Sequence, residues 1–197
     1  MTVLSFATAL LLSITSFTRI VIVLSFIRQG LGTPQLPPNQ VVIGLALALS
    51  AFVMAPTASA VWTDALDPYM NDRLGAEEAV TRASAPVRTF LLKHVRVTDL
   101  ELFYGVAGAP RPVSEDEVPL TIAVPAFMVS ELTTAFRMGL FVLVPMLLID
   151  LLVSAILMAL GMMMVPPTMV SLPLKVGVFL LAGGWHLTVE SILRSFS

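Results

Sequence analysis

The sequence predicts an all-α, membrane-associated protein. Three observations carry this. The chain of 197 residues is 57% hydrophobic and only 12% charged, against about 25% charged in soluble domains. Its mean hydropathy is +0.92. Its apolar residues fall into long blocks of the length that crosses a bilayer, separated by short Pro/Gly breaks and one polar stretch with helical periodicity. The net charge of -2 gives no reason to expect nucleic-acid binding. With no cysteine there is no disulfide, thiol nucleophile or thiolate metal site.

The first block runs from about Val3 to Ile27, interrupted by Arg19. It lacks the positive start of a secretory signal, so either none is present or an upstream one has been removed. "TASA" at Thr57 to Ala60 resembles a cleavage site but lies too deep. "GLGTPQLPPNQ" (30–40) reads as a turn region. The second block runs from Val41 to Trp62, with Pro56 near its end. Residues 1–62 thus form two apolar helices joined by the 30–40 loop.

Residues 63–120 differ in kind, for they hold two thirds of the charged residues. Phe90, Leu91, Val95, Leu100 and Phe103 can share one apolar helical stripe. Pro86 is expected to break this segment into two helices. "GAPRPVSEDEVP" reads as a loop.

The third block, Thr121 to Val165, would be about 67 Å long as one helix at 1.5 Å per residue. It is therefore expected to make two spans, started at Pro125 and divided at Pro145. The fourth runs from Leu174 to Leu193. Between them lies "GMMMVPP" (161–167). Consecutive helix positions lie about 100° apart, so three methionines in a row cannot share one buried stripe.

Arg19, Glu131, Arg137, Asp150, Lys175 and Glu190 lie in or beside apolar runs. A charge at a bilayer centre costs about 2.5–3.5 kcal/mol on insertion scales. Such charges serve either an ion relay or pairing within a bundle or between subunits. Glu131 and Arg137 are about 240° apart around a helix, so their partners are expected on other segments or chains. No metal-ligand spacing, phosphate loop or nucleophile elbow is visible, which argues against an enzyme, a cofactor or a metal site. Trp62, Tyr69 and Trp185 sit near block ends, where interfacial aromatics are common.

Four strings now stand out: "SFTRIVIVLSFIRQGLGTPQLPPNQV" (16–41), "PAFMVSEL" (125–132), "IDLLVSAILMALGMMMVPP" (149–167) and "SLPLKVGVFLLAGGW" (171–185). Together they closely resemble the FliP family of the flagellar type III export gate, across essentially the whole chain. "SFTR" and "PPNQ" look like the flagellar branch of that family; the injectisome branch is the alternative.

The resemblance implies bent helical hairpins that assemble into a ring-like, helical export-gate complex. That complex forms the channel passing unfolded flagellar subunits across the bacterial inner membrane. It implies a homo-oligomer of five copies with two smaller gate proteins, FliQ and FliR, and the FlhB switch protein. The core would stand in the flagellar basal body, raised toward the periplasm, with 63–120 periplasmic and 121–197 forming C-terminal hairpins around the 161–167 loop. By motif, Met162, Met163 and Met164 match a gasket around the closed pore. Glu131 and Lys175 match positions that pair between subunits, and Asp150 matches another intramembrane acid. Phe90 and Phe103 lie where the family has subunit-contact phenylalanines, on a looser motif.

The chain departs from the family in having only fifteen residues before Ser16. It also has Gly183-Gly184-Trp185 where the family has Asp-Gly-Trp, which removes any role for an acid there. Two rival readings stay open on the residues themselves. One is an ion or solute transporter with a relay through Glu131 and Asp150. The other is a scaffold for a pore built by another protein.

Overall fold

Leu24, Ile20, Ile27 and Val23 repeat at the spacing of one helical face, and all four are buried. They belong to α1, Phe17–Gly30. The structure, a computed structural model, describes residues 12–33, 37–110, 112 and 114–197, with only the backbone of 115. The first part of the first apolar block, part of the 30–40 turn and Arg111 lie outside the described residues. Every regular element among those described is helical.

Helix α2 spans Asn39–Val61, and Pro56 lies inside it. It passes into a wider π turn, Trp62–Leu66, and then into α3, Asp67–Met70. The π turn has a local cause. Pro68 has no N–H and its ring presses on the carbonyl four residues back, so one turn of wider winding precedes it. The Asp67 N–H accordingly reaches back five residues to the Trp62 carbonyl. The helical run therefore continues to Met70 instead of stopping near Trp62.

Helix α4 spans Ala76–His94 and α5 spans Val97–Ala107. The expected break at Pro86 does not occur; α4 runs through it. The break falls at Val95 and Arg96, both extended. Asp99 explains this position. The Arg96 guanidinium makes two 2.8 Å hydrogen bonds to the Asp99 carboxylate, and the Arg96 N–H donates to Ser130 Oγ at 3.0 Å. Ser130 in turn donates to Asp99 at 2.6 Å. The Arg96 N–H is thus satisfied outside a helix, which lets the chain turn. The stripe from Phe90 to Phe103 is consequently divided between two helices.

Helix α6 spans Leu120–Ala159 without interruption, so the third block is one helix and not two spans. Pro125 and Pro145 lie inside it. Each removes one hydrogen bond and costs about 3 kcal/mol in a helix interior. Among apolar surroundings that loss does not repay leaving a whole turn of backbone unpaired. Helix α7 spans Pro167–Leu181 and α8 spans Gly184–Arg194. They are bent by 62°, so the fourth block is also not a single straight helix. Gly183 sits at φ 66 between them, where glycine carries no side-chain penalty.

Two described helical runs, Asn39–Met70 and Leu120–Ala159, are long and apolar enough to cross a membrane, or three if α7 and α8 count as one bent span. The four or five spans of simple hydropathy are not found among the described residues.

The chain forms two compact units, 1–18 with 50–133, and 19–49 with 134–197. In the first, Phe127, Leu91, Ala123 and Ala126 are fully buried, and Phe127 packs against Phe90 with ring centroids 5.8 Å apart. Ser16 and Ser50 share a buried hydrogen bond. In the second, the α1 stripe packs close to α6. A Cβ on Gly139 would overlap the Phe26 ring, and Phe26 meets Phe136 edge-on at 5.2 Å.

Candidate functional site

Methionine placement is decided by the end of α6. Gly161 adopts φ 73. Its N–H donates to the Met158 carbonyl at 3.0 Å, and the Met162 N–H donates to the Leu157 carbonyl at 2.9 Å. This pair of back-turned bonds closes the helix as a Schellman turn and caps carbonyls that would otherwise be orphaned. The chain turns again where the Val165 N–H meets the Met162 carbonyl at 3.3 Å. Pro166 is extended and Pro167 opens α7, the helix position where a missing N–H costs nothing. The methionines are thus lifted out of both helices. Met162 is 44%, Met163 84% and Met164 96% exposed. Three thioethers project from one short loop, free of helical facing.

Behind the loop, its two arms are tied by charge. Lys175 Nζ lies 2.5 Å from Asp150 Oδ2, and Ser171 donates to Asp150 Oδ1 at 2.6 Å. Ser171 and Lys175 are four apart on α7 and share a face; both are buried. Asp150 lies about 14 Å along the axis before the end of α6. A Cβ on Gly32, at φ 75, would stand 3.9 Å from Lys175 Nζ, so the turn after α1 closes over the ammonium. Lys175, expected to pair with Glu131 between subunits, makes its ion pair within the chain with Asp150. Ser171 was not foreseen, although its place one helical turn before Lys175 was a usable signal.

Arg19 also has a different task from a relay. It is buried, donates to the Ser195 carbonyl at 2.8 Å and to Ser195 Oγ at 2.9 Å, and lies 3.9 Å from the centre of the Phe196 ring. It therefore caps the C-terminus of α8 with a cation, as the helix dipole favours.

The remaining site candidates lie in the other unit. Glu131 is fully buried on α6, next to Ser130 of the Arg96–Asp99 cluster. Phe90 is a core residue, stacked near His94 at 4.6 Å and Phe127. Phe103 is half-buried on α5. The role of Asp99 is set by Ser130, 31 residues away, which only the fold brings to it, while Arg96 at i−3 was a usable local signal. Close by in sequence, Tyr104 is buried and its hydroxyl has no hydrogen-bond partner among the described residues. Burial, with the Glu117 charge adding to it, pushes its pKa above the ordinary value.

The FliP family model matches residues 1–192. The chain is 50% identical over 196 residues to the flagellar biosynthetic protein FliP of Bacillus subtilis (strain 168), covering all of this chain and 89% of that one. It is 49% identical to the protein of that name from Pectobacterium carotovorum subsp. carotovorum, covering all of this chain and 76% of the relative. For Aquifex aeolicus (strain VF5) the identity is 44%, again over all of this chain, with 83% of the relative covered. These are flagellar proteins, which favours the flagellar reading over both the injectisome branch and the transporter. The chain, an all-α protein with membrane-span-capable helices, belongs to the FliP family.

Proposed function

We infer that the chain is a core subunit of the flagellar type III export gate, embedded in the bacterial inner membrane and lining the path of unfolded flagellar subunits. The observation that carries this reading is the exposed loop at Met162, Met163 and Met164, held by Gly161 and the double proline. A side chain that is long, unbranched and polarizable can seal around varied peptides and close again. One loop cannot surround anything, so the role requires several copies; the ring is five, built with FliQ, FliR and FlhB. The 63–120 block stands on the periplasmic side.

The inter-subunit roles expected of Glu131, Lys175, Asp150, Phe90 and Phe103 belong to that ring. In the single chain Lys175 and Asp150 already satisfy each other, and Phe90 is committed to the core. Of the five, Phe103 and Asp150 are half-buried and keep surface to offer a neighbouring copy.

Expression in a flagellated host lacking its own relative tests the function. Restored secretion of hook and filament subunits is expected. A folded, membrane-inserted chain that never restores secretion would overturn it. Replacing Met162, Met163 and Met164 together with alanine should leave the complex assembled and raise leakage of small solutes across the inner membrane. Unchanged permeability in the assembled variant would remove the gasket role.

A further inference from the structure

Met163 and Met164 occupy the two corners of the turn closed by the Val165 N–H and the Met162 carbonyl. Both thioethers stand clear of the chain, whereas Met146, on α6, is buried. A thioether needs no activation to react with a peroxide. The sulfur lone pair attacks one oxygen of hydrogen peroxide, the S–O bond forms as the O–O bond breaks, and a proton shift releases water. The sulfur is oxidised, the peroxide is reduced, and methionine sulfoxide remains. An apolar, flexible side chain has then become a polar, chiral one. Its new oxygen is a hydrogen-bond acceptor. The loop, "GMMMVPP" (161–167), carries no side-chain donor to meet it, so its hydrogen bonds must come from water.

We propose that the methionine loop is a reversible oxidation site, and that sulfoxide formation at Met163 and Met164 opens the collar to water. The switch rests on the gasket role given to the loop above. A hydrophobic constriction closes by shedding water. Sulfoxides on it hold water instead, and a hydrated collar passes small solutes. Hydrogen peroxide is little larger than water and reaches the collar from the aqueous mouths of the path without the gate opening. The reverse step is supplied by methionine sulfoxide reductases, one for each sulfoxide epimer. There a dithiol takes the oxygen, leaving the thioether, a disulfide and water. Met158 and Met169 are exposed too, but they sit on α6 and α7, off the turn.

The test uses the assembled complex reconstituted in liposomes loaded with a small dye, treated with hydrogen peroxide and read by dye leak and by peptide-mapping mass spectrometry. Met163 and Met164 should each gain about 16 Da, one oxygen, while Met146 stays reduced. Leak should rise at least to that of the untreated triple alanine variant, and both sulfoxide reductases together should reverse it. Replacing Met162, Met163 and Met164 together with leucine removes the sulfur and leaves Met158 and Met169 in place. Measured against its own untreated leak, that variant should not respond to peroxide. An equal peroxide-driven rise in the leucine variant would overturn the switch, as would loop sulfoxides without added leak. So would loop methionines that stay reduced in the assembled complex, because neighbouring copies then cover them. The untreated alanine variant keeps the two roles apart. If it leaks and the oxidised wild type does not, the switch alone fails; if it does not leak, the gasket fails as well.

Discussion

Lys175 can be removed from water because Asp150 and the turn at Gly32 surround its ammonium. Neutralising one partner strands the other in a buried place, which costs about 3–5 kcal/mol for buried pairs. Asp150 keeps a third of its side-chain exposure, which puts Lys175→Met and Asp150→Asn near the lower end, about 3 kcal/mol. The double variant should recover a large part of that loss, measured by thermal unfolding in detergent. The swapped pair, Asp150→Lys with Lys175→Asp, should restore stability within a chain. The pair Glu131→Lys with Lys175→Glu restores ring assembly only where those two residues meet across copies, so native gels of the two double variants separate the roles.

Tyr104 offers a contrasting residue. Its buried hydroxyl gains nothing from burial, so Tyr104→Phe should stabilise the chain by about 1 kcal/mol. Because burial raises its folded pKa, the neutral phenol's contribution is intact below about pH 10, the ordinary tyrosine value. Stability is lost as pH rises from there through the folded value. Alkaline denaturation followed by tyrosinate absorbance should show this loss in the wild type and not in Tyr104→Phe.

Among the elements, glycine matters most where helices touch. Gly139 lets α1 and α6 approach until Phe26 lies over bare backbone. Gly139→Ala should cost about 1–3 kcal/mol, the usual penalty of overpacking. Phe26→Leu in the same chain should return part of it, read as the shift in unfolding midpoint. The helices themselves were legible in sequence, since apolar runs and the α1 stripe follow from periodicity. So was the methionine loop, because Gly161 and Pro166-Pro167 bracket it and three consecutive residues cannot share a face. The breaks within the apolar and helical-period stretches were not legible. Prolines 56, 86, 125 and 145 all lie within helices, while the chain actually turns at Val95–Arg96 and Ala182–Gly183. A proline penalty is local and small; what decides a break is where the freed groups find partners. Arg96 finds Ser130, 34 residues away, and no local pattern reports such a partner. The Lys175–Asp150 tie was hidden for the same reason, being 25 residues apart.

The boundary between the two units falls inside both long helices, at Leu49–Ser50 and at Thr133–Thr134. Neither unit is therefore a contiguous piece of chain, and neither can be cut out at a loop. This has a consequence in time. The face of α1 that carries Ile20, Leu24 and Ile27 leaves the ribosome early, yet Gly139 and Met146, which meet this helix, come more than a hundred residues later. Arg19 waits 176 positions for Ser195, roughly 10–35 s of synthesis at 5–20 residues per second. During that interval the nascent α1 must be sheltered by lipid or by the insertion machinery, and the last dozen residues complete a core begun at the start.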